Sequence, residues 1–162
     1  MNILSKESIK QDIRELQEKL EQIHPNPYKY ISEGDFNFLL RKHSQNAESI
    51  KDLGFAIMIT IPSLNDGHTH LGLSDHVLGA KNYMSKFEYL NDGYYLTKSS
   101  EELSSHLGSK LLGLNNFDIN ELEEKIKAFI PQENETSTQY YFSSKMVEPS
   151  ILGFLNIIDC EK

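Results

Sequence analysis

One cysteine, Cys160, stands among 162 residues, so no disulfide can form within the chain. Basic residues are scarce: 16 Lys and Arg face 24 Asp and Glu, for a net charge of -8. That balance argues against nucleic-acid partners, which call for clustered Lys and Arg against the phosphate backbone. Apolar runs are short, none approaching the roughly 18 residues of a membrane-spanning helix, so no membrane partner is expected. Met1 to Lys6 lacks a basic region leading into an apolar core, so no signal peptide is expected and the cytoplasm is the default location. What remains is 38% hydrophobic residues at a mean hydropathy of -0.48, which fits a soluble chain with a modest core. Its length suits one ordinary domain or two small ones.

The densest chemistry lies in Asn65-Asp66-Gly67-His68-Thr69-His70-Leu71, after the apolar run Phe55 to Ile61 and the break at Pro62-Ser63. Asp-Gly favours a turn, because glycine tolerates positive φ and aspartate bonds nearby backbone amides. An extended segment from Thr69 to Leu73 would put His68 and His70 on one face and Thr69 and Leu71 on the other. A tight turn just before His68 would aim its ring.

Upstream, Ile9, Ile13, Leu16, Leu20 and Ile23 recur at helical spacing after a capping Ser5. Pro25 and Pro27 stop that helix. Ser32 can cap a second helix, Glu33 to Ser44, burying Phe36, Leu39 and Leu40. A third is expected from Glu48 to Ile61, with Ile50, Leu53, Ile57 and Met58 inward; the composition of Phe55 to Ile61 also fits a buried strand, but length and Ser49 to Leu53 favour helix. Downstream the texture changes. Lys86 to Tyr89 and Gly93 to Lys98 read as strands joined by the Asn91-Asp92-Gly93 turn, and Lys110 to Leu114 as a further short strand. Asp118 or Asn120 opens a helix through Phe129, and Glu135 to Lys145 and Pro149 to Ile157 are further helices. The expected fold is α+β: a helical subdomain over residues 1–66, then a β-rich part with C-terminal helices over residues 67–162.

The order helix, His24-Pro25-Asn26-Pro27-Tyr28, Phe36-bearing helix, apolar helix, Asp66-Gly67-His68-Thr69 resembles the N-terminal part of the serine peptidases related to the tricorn core and the C-terminal-processing (tail-specific) proteases. Gly108 to Asn115 and the helix after it resemble the degenerate PDZ-like module of that family. The resemblance implies that His68 is the general base of the tricorn-like branch, with Asp66, Gly67 and Thr69 forming the turn that orients it. The nucleophilic serine of that family lies in a later domain, and Lys162 falls where that domain would open. The expectation is therefore a peptidase-like region with the base and without the nucleophile, inactive alone and needing no cofactor.

Two other classes compete. A PDZ-like groove between Lys110–Leu114 and the helix from Asn120 would capture peptides or unfolded segments by strand addition. Alternatively, His68 and His70 would hold a metal, with Asp75 or His76 completing the shell, although this spacing is unspecific. His24 reads as a structural helix-end residue, and His43 and His106 as solvated.

Overall fold

The computed structural model describes residues 4–73 and 84–159. The fold is α+β, mostly helical with two small antiparallel sheets. It divides into two compact units, Met1–Val77 and Leu78–Lys162. Among the described residues, no helix is long and apolar enough to cross a membrane.

The first unit is helical. Helix α1 (Lys6–Ile23) starts where the Ser5 hydroxyl accepts the Ser8 amide, satisfying a donor that the first turn leaves free. Helix α2 (Glu33–Ser44) is capped in the same way by Ser32. In α3 (Ile50–Thr60), Ser49 and Asp52 form a reciprocal capping box. Phe55 to Thr60 is therefore helix, and Phe55, Ala56, Ile57 and Met58 are all buried. The core joins Ile9, Phe36, Leu40, Leu53, Ile57, Ile61 and Leu64, with Ile13, Leu16, Leu20 and Leu71 packed against it.

Two apolar positions depart from expectation. Ile23 is 78% exposed and Ile50 is 58% exposed. Each is the terminal residue of its helix, and such positions can project past the packed face that the periodicity describes. Leu73 lies against Gly54, where a Cβ would come within 2.6 Å of its side chain.

The second unit begins with the hairpin β1 (Lys86–Leu90) and β2 (Gly93–Lys98), where Leu90 faces Gly93 and Asn91 takes the left-handed conformation (φ 53°). A return segment lengthens the ladder: Lys110 pairs with Tyr95, and the Leu111 amide donates to the Tyr94 carbonyl. A short 3-10 turn, Glu101–His106, precedes it. The strand expected over 110–114 is thus split between this bridge and the two-residue β3 (Gly113–Leu114), which pairs with β4 (Phe117–Asp118). Asp118 caps α4 (Ile119–Ile126) through a second capping box, and a 3-10 turn, Lys127–Phe129, ends it. Helices α5 (Glu135–Lys145) and α6 (Pro149–Phe154) follow. The core of this unit gathers Tyr94, Leu122, Ile126, Ile130, Phe142, Met146, Leu152 and Ile157.

Candidate functional site: the Asp66 hub and its cleft

Local rules bring Asp66 to the end of α1. After α3 the chain tightens into a 3-10 turn, Ile61–Leu64, with Pro62 in its first turn. Asn65 then adopts the left-handed conformation (φ 53°), which asparagine tolerates better than most residues. The Thr69 amide donates to the Asp66 carbonyl at 3.2 Å, closing a turn across Gly67 and His68.

The Asp66 carboxylate collects donors from both ends of the unit. Its Oδ2 accepts from His24 Nε2 at 2.9 Å and from the Thr69 hydroxyl at 2.5 Å. Its Oδ1 accepts the His68 amide at 3.2 Å and lies 3.4 Å from His68 Nδ1. Burial alone would push this carboxyl up. The Thr69 hydroxyl, the His68 amide and the two imidazoles outweigh that and hold it at about 2.

The tautomer of His24 follows from its other nitrogen. Nδ1 lies 3.0 Å from the Asn26 amide, which can only donate. Nδ1 is therefore the acceptor, and Nε2 carries the proton given to Asp66. The His24-Pro25-Asn26 sequence at the end of α1 sets this up, because the helix must stop where the ring turns back.

The His68 side chain touches this network only through Nδ1 and is 97% exposed. His70 is exposed as well, whereas Thr69 and Leu71 are half-buried. The alternation expected of residues 68–71 is present, but the strand is not. Among the described residues, 69–73 pair with no strand: the turn's donors go to Asp66 and Leu71 packs on the helical core.

Beside the hub lies a cleft of about 640 Å³. Leu16, Leu20, Ile23, Phe36, Ile61 and Leu71 give it apolar walls. Lys19, His24, Asp66, His68, Thr69 and His70 supply its polar groups. No serine lines it among the described residues. Ser143 and Ser144, in α5, give their hydroxyls to the carbonyls of Gln139 and Tyr141.

Among the described residues, no group of three or more His, Cys, Asp or Glu is arranged to hold a metal. Asp75 and His76, the partners considered for His68 and His70, lie outside the described residues. Where a peptide groove was expected, Leu111, Leu114 and Ile126 pack in the core of the second unit, and Phe129 is buried too. Leu112 points away, 75% exposed.

Two histidines carry more than the sequence suggested. His24 is half of the central polar contact, made across 42 positions that no local pattern spans. His43 is not solvated: its Nδ1 lies 2.8 Å from Thr60 Oγ1, joining α2 to α3. Burial, and next the neighbouring Lys42, lower its pKa. Polar residues at helical spacing beside Leu40 and Ser44 were the available signal for His43. Compared with family models, curated proteins and solved structures, the chain matches none.

Proposed function

We propose that this chain is the histidine-bearing region of a serine-peptidase-like protein, with His68 as its general base, and that by itself it is inert as a peptidase. The observation that supports this reading is the Asp66–His68 pair. A carboxylate within 3.4 Å of Nδ1 favours the tautomer with the proton on Nδ1, and exposure leaves Nε2 open to take a proton from a nucleophile. Asp66 suits the orienting role because His24 and Thr69 fix it from the other side and its low pKa keeps it ionised. The resemblance of His24 to Tyr28 and of Asp66 to Thr69 to the tricorn-like peptidases points the same way. Among the described residues no serine lines the cleft, and a base without one gives no acyl-enzyme, which accounts for the expected inertness.

Two measurements test this. Serine-directed phosphonates should leave the chain unlabelled; stoichiometric labelling abolished by one serine substitution would refute inertness. An activated ester such as p-nitrophenyl acetate reads the imidazole directly, since a free Nε2 attacks it without help. His68→Ala should remove most of the esterolysis above the background of free imidazole, and Asp66→Asn should reduce it. Unchanged rates in His68→Ala would refute the assignment of the base.

A further inference from the structure

The cleft beside Asp66 has walls of one chemistry and a rim of another. Its volume, about 640 Å³, falls in the range of small-molecule sites, roughly 300–1,000 Å³. Leu16, Leu20 and Ile23 lie along two turns of α1, a run of about 10.5 Å at 1.5 Å per residue. That length suits an extended alkyl chain of medium size, with Phe36, Ile61 and Leu71 completing the apolar surround.

The charges select the head group. Asp66, the only acid among the described lining residues, has both oxygens occupied by donors of its own unit. Lys19 has no ion-pair partner among the described residues, and His70 makes no hydrogen bond among them. Among the described residues, the cleft therefore offers an ammonium with no ion pair and an imidazole with no hydrogen bond beside an apolar trough, while its ionised carboxylate has both oxygens taken by donors. A single negative charge on an aliphatic chain complements that set.

We propose that this cleft binds a medium-chain carboxylate, the alkyl chain laid along Leu16, Leu20 and Leu71 and the head group held by Lys19 and His70. The proposal stands on the cleft alone and does not require His68 to act as a base. Among the described residues, the lysine without an ion pair beside an apolar trough favours a small amphiphilic anion over a protein partner.

Calorimetric titration of the full chain with decanoate tests this, beside decanol, decyltrimethylammonium and a neutral leucine-rich peptide. Decanoate should bind with one-to-one stoichiometry, and the alcohol and the cation about tenfold more weakly or not at all, the step that 1.4 kcal/mol represents. Lys19→Gln and Ile23→Asp alter exposed side chains, so both variants should melt like the parent. Each should weaken decanoate binding about fivefold or more, Lys19→Gln by removing a charge-assisted contact and Ile23→Asp by placing a negative charge in the apolar wall. Amide shifts on binding should concentrate at residues 66–71. Four results would each overturn the proposal: no saturable decanoate binding, equal binding of decanol, indifference to Lys19→Gln, or displacement of decanoate by the peptide at lower concentration.

Discussion

Asp66 Oδ2 accepts a hydrogen bond from His24 Nε2 at 2.9 Å, across 42 positions of sequence. Their side chains are only 24% and 21% exposed, so little water competes for the contact. It pins the end of α1 to the turn that follows α3. Hydrogen bonds to a charged group contribute about 1.5–3 kcal/mol. His24→Ala and Asp66→Ala should each lower stability by about that much, with a coupling of at least ~0.5 kcal/mol in the double variant. Urea melts of the four proteins read this directly. Strict additivity would mean that the bond contributes nothing to the fold.

Acid should act first through His43. Its folded-state pKa lies below the ordinary 6.5, so the unfolded chain takes up a proton there that the native one resists. The stability contributed by the neutral ring is present at higher pH and is lost as pH falls below about 6.5, toward the lowered native value. A pH series of melts should show this loss, and His43→Gln should flatten it. No change in slope between parent and variant would count against the buried contact with Thr60.

Asp66 governs a second, more acidic window. Its native pKa of about 2 lies below the reference value of 3.8, so its contribution is complete above 3.8 and disappears as pH falls through 2. The difference corresponds to roughly 2 kcal/mol at 1.36 kcal/mol per unit. Melts between pH 5 and 2 should therefore show a steepening that Asp66→Asn removes. A variant with the parent's acid profile would mean that other carboxylates carry the transition.

His68 should be nearly silent in the same melts. Its side chain is 97% exposed, and replacements at such positions usually change stability by no more than about 0.5 kcal/mol. His68→Ala should therefore keep its midpoint and lose the esterolytic activity. A loss of 2 kcal/mol or more, the scale of an unsatisfied buried partner, would show that the ring holds the fold instead.

The helices were legible because their signals are local. Ser5, Ser32, Ser49 and Asp118 each cap the helix they precede, and the apolar spacing from Ile9 to Leu20 needs only the 3.6-residue repeat. The Asp66 turn was legible for the same reason, since Asp-Gly acts on the amides beside it. What failed depended on distant partners or on helix ends. Residues 69–73 have the alternation of a strand, yet hydrogen bonding to Asp66 and packing of Leu71 override it. Ile23 and Ile50 fit the periodicity, but it does not reveal where the packed face stops. His24 is the helix-end residue the sequence implied, but its partner 42 positions away, like that of His43 17 positions away, lies beyond any window in which spacing carries meaning.

Gly113 is closely enclosed by backbone. A Cβ built there would lie 2.3 Å from the Phe117 carbonyl oxygen and 3.1 Å from the Asp118 Cα, both backbone atoms. The crowding arises because β3 and β4 are joined by a two-residue turn with Asn115 in the left-handed conformation (φ 53°), so Gly113 sits directly across from Asp118. A backbone obstacle cannot rotate aside, so a larger residue would have to part the strands. That would disturb Asp118, whose carboxylate caps α4, and through α4 the fully buried Leu122 and Ile126. Gly113→Ala should therefore cost about 1–3 kcal/mol, the range of overpacking, rather than gain the stability that glycine removal gives at an unstrained site. Gly108 offers the control: it has open space around it but a φ of +82°, so Gly108→Ala should cost about 1 kcal/mol through backbone strain alone. Amide exchange should separate the two, with protection lost at Leu122 and Ile126 in Gly113→Ala and retained in Gly108→Ala. Equal exchange in both variants would mean that the β3–β4 turn does not secure the start of α4.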